Sequence, residues 1–235
     1  MKAVIMAGGL GQRLRPFTQV IPKPLLPVGE QSVLEIIIQA LSQQGFDEIF
    51  LALNYQSDLF EAFFGDGSKW GIKISYTKEE IPLGTAGPLK LIDNRLTEPF
   101  LVINGDILTN LEFTKLADFH RANEAILTVC TKEIHMPLHY GVVHSENNRI
   151  VKIDEKPDMV SEVIAGIYML SPETLSYIPK DAFYTMVDLL HDLMKADRKV
   201  VQYHLGGYYW LDIGQMDDYQ KAQDLYREGI FSKRP

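Results

Sequence analysis

The sequence predicts an α/β protein built on a mixed, mainly parallel sheet flanked by helices. Short apolar runs alternate with amphipathic stretches through the first half, which is the pattern of βαβ units. A glycine-rich loop, "MAGGLGQRLRP", follows the first apolar run, and open α/β sheets hold ligands just beyond the carboxyl ends of their strands. The chain has 235 residues, 46% hydrophobic and 23% charged, which fits one large globular domain better than a fibrous or disordered chain.

Taken in order, "KAVIMA" predicts the first strand and "SVLEIIIQALSQQG" a helix closed by Gly45. "DEIFLAL" predicts a strand, "QSDLFEAFF" a helix, "IKISYT" a strand, "TAGPLKLIDNRL" a helix, "FLVIN" a strand and "LEFTKLADFHRAN" a helix. This half is Rossmann-like. After about Asn123 successive strands follow: "AILTVCTK", "YGVVHSE", "RIVKIDEK" and "EVIAGIYML". Helices return with "TMVDLLHDLMKAD" and "MDDYQKAQDLYREG", separated by the strand-like "KVVQYHL" and "GYYWLDIG". No Pro/Gly/Ser-rich linker interrupts this order, so a single domain over residues 1–235 is expected, a nucleotide-binding part over about 1–123 preceding a second part over about 124–235.

Composition excludes several classes. A formal charge of -8 argues against general nucleic-acid binding, which needs a basic face. The longest apolar stretch, Val163 to Leu170, is far short of the roughly 20 residues that span a bilayer, and Met1 leads straight into "KAVI" without a signal pattern. A cytoplasmic protein without membrane partners is expected. The single cysteine, Cys130, reads as a buried thiol, and the six histidines show no zinc-ligand spacing.

Against this acidic background the N-terminal segment is basic. Lys2, Arg13, Arg15 and Lys23 stand without a carboxylate until Glu30, which points to a local anion site. Gly8, Gly9 and Gly11 let backbone approach a phosphate closely. The loop lacks the third glycine of the dinucleotide fingerprint and the Gly-Lys-Ser/Thr of the Walker loop. "RLRPFTQVIPKPLLPV" carries four prolines, so it is a long ordered excursion and not a helix. Arg13 offers a planar fork, and Lys23, between Pro22 and Pro24, a rigidly placed point charge. Together they make a clamp for a polyphosphate.

The double motif "AGGLGQRLRPFT…PKPLLPV" resembles that of the sugar-1-phosphate nucleotidyltransferases, the nucleoside-diphosphate-sugar pyrophosphorylases, with Gln12 where many members have Thr. "PLGTAGPL", "INGDIL", "YGVV", "EKP", "AGIY" and "WLDIG" follow in the family's order, closest to the pattern of mannose-1-phosphate guanylyltransferase-like members. The resemblance ends with the last helix, so the left-handed β-helix that some members append is not expected. It implies an inserted sugar-binding β region and substrates that are a nucleoside triphosphate and a sugar-1-phosphate. It also implies Arg13 and Lys23 as catalytic, Gly84 and Thr85 beside the nucleotide, and Asp106 and Asp212, each at the end of an apolar run, as Mg²⁺ ligands. Lys156 would meet the sugar phosphate, Glu155 a sugar hydroxyl, and Gly141 and Gly166 would line the sugar pocket. Homo-oligomerisation is left open by the sequence.

The base is expected to be guanine. Its N1–H and N2–H₂ are adjacent donors, and Glu79 or Glu80 could accept both. The acceptor is expected to be a mannose-, heptose- or amino-sugar-type 1-phosphate, and thymidylyl or uridylyl transfer to glucose-1-phosphate or a related sugar is the alternative. A GT-A-type glycosyltransferase would show Asp-x-Asp where Asp106 is followed by Ile107 and Leu108. A non-catalytic nucleotide-sugar sensor would be expected to lose the charges that are all present here.

Overall fold

The computed structural model describes residues 1–9, 11–54 and 57–231. Its strands and helices in chain order are β1 (Lys2–Met6), β2 (Pro27–Val28), β3 (Gln31–Ser32), α1 (Val33–Gln43), β4 (Glu48–Leu53), α2 (Ser57–Phe64), β5 (Lys73–Lys78), β6 (Phe100–Asn104), β7 (Ile107–Thr109) and α3 (Phe113–Ala122). They continue with β8 (Leu127–Pro137), β9 (Val142–Glu146), β10 (Arg149–Asp154), β11 (Asp158–Leu170), α4 (Met186–Lys195), β12 (Val200–His204), β13 (Trp210–Asp212) and α5 (Met216–Arg227).

Among the described residues the central sheet has seven strands in the order β12-β8-β11-β6-β1-β4-β5, and only β11 runs antiparallel to its neighbours. Alternation along the strands divides the core into two layers. Ala3, Ile5, Ile49, Leu51, Leu101 and Ile103 face α1, α2 and α3, whereas Val4, Phe50 and Val102 face Leu89, Leu175 and the Leu189, Leu190 and Leu193 stripe of α4. A parallel sheet covered on both faces explains why its strands read as continuous apolar runs. Helix α1 starts where predicted, because the Ser32 hydroxyl accepts the Glu35 N–H at 3.1 Å.

Four elements differ from expectation. The segment "TAGPLKLIDNRL" forms a 3-10 stretch over Gly87–Arg95, kinked at Ile92, and not an α-helix. The buried Leu89 and Ile92 repeat at three residues, the 3-10 period, and the backbone leaves helical φ/ψ at Ile92. Strands β8 and β11 are longer than their apolar cores and pair out to Asp158 and Pro137, where exposed charged side chains alternate with the apolar ones. The fourth, β9, begins at Val142, not Tyr140.

The proline-rich excursion consists of short 3-10 turns over Gln12–Leu14, Phe17–Gln19 and Lys23–Leu25. It is tied down from the far end of the chain. Tyr219 and Gln223 of α5 donate to the Pro27 carbonyl at 2.5 and 2.7 Å, and Gly29 N–H donates to Gln223 at 3.0 Å. Cys130 is buried, and burial pushes its thiol pKa up. Among the described residues no helix is long and apolar enough to cross a membrane.

Candidate active site

The carboxyl ends of β1, β4 and β6 open onto a cleft of about 370 Å³. Met6, Ala7, Gly8 and Gly9 form one wall, Ala52 and Asn54 another, and Asn104, Gly105 and Asp106 the floor after β6. Ala7 N–H bonds to Ala52 O and Gly105 N–H to Met6 O, both at 2.9 Å, so the loop is a continuation of the sheet. Gly11 does not line the cleft. It carries the turn instead, its carbonyl accepting the Thr18 hydroxyl at 2.7 Å.

Lys23 is 8% exposed although cationic. Its Nζ is ion-paired with Asp106 and lies 3.5 Å from Asp212 Oδ1. The two aspartates meet because β13 pairs antiparallel with β7, which sets Asp212 opposite Ile107, and because Ile213 N–H bonds to Asp106 O at 3.0 Å. Burial, and then the neighbouring Asp106 charge, raise the Asp212 pKa, while Lys23 and Arg13 oppose them. Asp212 Oδ1 is buried and makes no hydrogen bond among the described residues. The Arg13 guanidinium packs on the same turn, since a Cβ at Gly214 would stand 3.4 Å from it.

These residues fit a hard divalent cation. Two converging carboxylates, one with a buried oxygen that has Lys23 Nζ at 3.5 Å and no hydrogen bond, supply hard oxygen donors, and no group of three or more His, Cys, Asp or Glu gathers among the described residues to make a closed protein cage. Mg²⁺ is bound in that way, through one or two carboxylates with water and phosphate oxygens completing the octahedron.

At the other end of the cleft Glu79 is 9% exposed and accepts the Leu83 N–H through Oε2 at 2.8 Å. Burial raises its pKa, with the Leu83 bond opposing. Glu80 points to solvent and does not line the cleft. Gly84 and Thr85 line it; Gly84 has φ +80°, and a Cβ there would stand 2.6 Å from the Tyr184 carbonyl. Thr85 Oγ1 accepts the Met186 N–H at 2.9 Å and joins this loop to the start of α4.

Gly166, at φ +70°, sits where β11 breaks register, and a Cβ there would stand 2.6 Å from Asn104 Nδ2 on the cleft floor. Gly141, Glu155 and Lys156 flank the exposed β9–β10 hairpin; a Cβ at Gly141 would lie 3.3 Å from Glu155 Oε2, and Lys156 has φ +45°. None of these three lines the 370 Å³ cleft.

Sequence reasoning missed Asn54, Asn104, Phe183 and Thr185, all of which line the cleft. Asn54 and Asn104 could have been found as the polar residues ending apolar strands. Phe183 and Thr185 carry no local signal, because they reach the cleft only through tertiary contacts.

The nucleotidyl transferase family model matches residues 2–229. The mannose-1-phosphate guanylyltransferase catalytic subunit beta of Dictyostelium discoideum is 37% identical over 243 residues, covering 100% of this chain and 67% of its own length. A UTP–glucose-1-phosphate uridylyltransferase of Synechocystis is 34% identical, covering 94% of this chain and 62% of its own. The crystal structure of HddC from Yersinia pseudotuberculosis complexed with GMP-PN superposes with a TM-score of 0.75 at 26% identity, covering 96% of this chain and 99% of that one.

Proposed function

The chain belongs to the nucleotidyl transferase family, and from that premise we propose that it transfers GMP from GTP to mannose-1-phosphate. The class of reaction is that of a sugar-1-phosphate nucleotidyltransferase, which makes a nucleoside-diphosphate sugar and pyrophosphate. The observation that carries the reading is a cleft lined by the ion-paired Lys23 and Asp106 and by a buried Glu79, with Asp212 Oδ1 3.5 Å from Lys23 Nζ.

In this reaction a phosphate oxygen of the sugar-1-phosphate attacks the α-phosphorus of the triphosphate. The new P–O bond forms as the bond from the α-phosphorus to the bridging oxygen breaks, and pyrophosphate carries that electron pair away. The attacking phosphate is already ionised near neutral pH, so no general base is needed. Positioning and charge neutralisation lower the barrier. Gly8 and Gly9 supply backbone to the phosphates, Lys23 and Arg13 compensate negative charge at the reacting end, and Lys156 is assigned to the phosphate of the incoming sugar, with Glu155 on a hydroxyl. Asp106 and Asp212 would hold Mg²⁺, which would supply further neutralisation of phosphate charge. Residues 1–123 contribute most of the nucleotide side of this single domain, with Phe183 and Thr185 reaching the same cleft from the second part and Asp106 joining Asp212 at the metal, while Glu155 and Lys156 of the second part contribute to the sugar side.

Guanine is assigned from the mannose-1-phosphate guanylyltransferase relatives and from Glu79, an acceptor-only group when ionised. The Synechocystis relative favours a second reading, UTP with glucose-1-phosphate. Pyrophosphate release with Mg²⁺, measured over GTP, UTP, dTTP and CTP against mannose-, glucose-, heptose- and amino-sugar-1-phosphates, decides between them. No release from any pair would overturn the enzymatic reading.

A further inference from the structure

We propose that Phe183 is the stacking platform for the nucleobase, a residue of the cleft that supplies affinity for the nucleoside; this rests on the nucleotidyltransferase reading. Phe183 lines the cleft with Glu79, Pro82, Gly84 and Pro88, yet it is 66% exposed. It has no aromatic partner among the described residues. An exposed aromatic ring at a cleft mouth is unremarkable when its backbone is loose, but here the backbone is clamped.

Tyr184 N–H bonds to Leu83 O at 2.9 Å, and the Tyr184 carbonyl accepts Ala86 N–H and Gly87 N–H at 2.9 and 3.0 Å. One residue further on, Thr185 caps α4 by accepting the Asp188 N–H. The Tyr184 hydroxyl donates to Asp192 on α4 at 2.6 Å. Gly84 and Gly87 leave room for this strap, because a Cβ on either would press against the Tyr184 or Ala182 carbonyl at 2.6 and 3.0 Å. The strap therefore fixes Phe183 to the same loop that carries Glu79.

The charges divide the cleft. Lys23 and Asp106 occupy the end that suits phosphates and a cation, which leaves the end framed by Glu79, Pro82 and Phe183 for the base. A base offers hydrogen-bonding groups on its edge and a π-face on its plane. Glu79 suits the edge, and Phe183 supplies the flat apolar surface for the face. Base–aromatic stacking tolerates any base, so Phe183 contributes affinity for the nucleoside while Glu79 discriminates.

The test compares wild type with Phe183→Ala, Phe183→Leu and Phe183→Trp, using the triphosphate turned over fastest and, as a ligand without a base, inhibition by inorganic tripolyphosphate. The Ala and Leu variants are expected to raise the KM for the triphosphate roughly 10- to 100-fold with kcat changed by about threefold at most, and Trp to restore it. Tripolyphosphate inhibition should stay the same in every variant. An unchanged KM in both Ala and Leu variants overturns the proposal, as does loss of tripolyphosphate affinity in step with the triphosphate, which would make Phe183 a packing residue of the loop. If wild type turns over no triphosphate, the nucleotidyltransferase reading fails, and Phe183 is judged by calorimetry of GTP against tripolyphosphate with the same expected split.

Discussion

Lys23 Nζ stands between two carboxylates, ion-paired with Asp106 and 3.5 Å from Asp212 Oδ1, in a site where the lysine itself is nearly inaccessible to water. A buried cation held by two aspartates is a preorganised charge, already desolvated before substrate arrives. Removing it takes away a contact aimed at developing phosphate charge and leaves two carboxylates facing each other. Lys23→Ala is expected to lower kcat by roughly 10² or more while circular dichroism stays that of wild type. Arg13→Ala should lower it similarly through the same cluster. Near wild-type pyrophosphate release in both variants would end the clamp assignment.

Asp106 and Asp212 are expected to be needed for metal and not for folding. Asp106→Ala or Asp212→Ala should abolish pyrophosphate release at millimolar Mg²⁺, and EDTA should do the same to wild type. Thermal melting separates this from collapse of the site: Mg²⁺ with pyrophosphate should raise the wild-type Tm and leave that of either variant unmoved.

The sequence made this charged half of the site visible because each element is local. Lys23 is framed by prolines, the glycines are consecutive, and each aspartate ends an apolar run. The sheet was visible for the same reason, since β1, β4 and β6 are buried on both faces and lack polar interruptions. The strap at 182–185 was invisible because it joins residues about a hundred positions away, and no periodicity marks an extended segment that bonds to a loop. Gly87–Arg95 was misread as an α-helix because a three-residue repeat of Leu89 and Ile92 also fits part of an α-helical face. Choosing between Glu79 and Glu80 needed the structure, since adjacent residues differ only in which side of the chain they face.

Gly166 and Gly84 make steric predictions. Both have positive φ and no room for a Cβ, so Gly166→Ala and Gly84→Ala are each expected to cost about 1–3 kcal/mol of stability, read from denaturant midpoints. Their functional effects should differ. Gly166→Ala presses on Asn104 at the cleft floor and should lower activity, whereas Gly84→Ala displaces the strap at Tyr184 and should raise the KM for the triphosphate. Equal kinetics in both variants would contradict the division of the cleft.

His120 predicts a pH dependence of stability unconnected with catalysis. It is 2% exposed, with Nδ1 2.8 Å from Thr128 Oγ1 and Nε2 3.0 Å from Ser171 Oγ. The Ser171 hydroxyl lies 3.1 Å from Ala125 O; if it donates there it accepts the Nε2 proton, and Thr128 then donates to a neutral Nδ1. Burial, reinforced by Arg121 and opposed by Glu173, lowers the His120 pKa from 6.5. The unfolded chain then binds the proton first, so this contribution to stability is complete above pH 6.5 and is lost as pH falls below it. Unfolding midpoints between pH 7.5 and about 5 should fall more steeply for wild type than for His120→Gln, with a difference in slope of at most about 1.4 kcal/mol per pH unit. Parallel slopes would remove His120 from the account.

Base selection should run through Glu79 alone. Its Oε2 is engaged by Leu83 N–H, and its Oε1 faces the glycine loop, 3.5 Å from where a Cβ on Gly8 would stand. An ionised Glu79 would accept from guanine N1–H and N2–H₂ and would repel the carbonyl oxygens of uracil or thymine. Glu79→Gln replaces one acceptor by a donor, so kcat/KM for GTP relative to UTP should fall by about 10²-fold, short of the 10⁴ or more reached when a buried polar site is left wholly unmatched. The solvent-facing Glu80→Gln should change the ratio little. Because burial raises the Glu79 pKa, the accepting carboxylate is lost on acidification earlier than an exposed glutamate would be. The KM for GTP should therefore climb as pH is lowered toward that pKa, while in Glu79→Gln it should stay flat over the same range. A wild-type preference for UTP or dTTP, or a Glu79→Gln variant with the wild-type GTP-to-UTP ratio, would refute the guanine assignment and leave the transfer reaction itself standing.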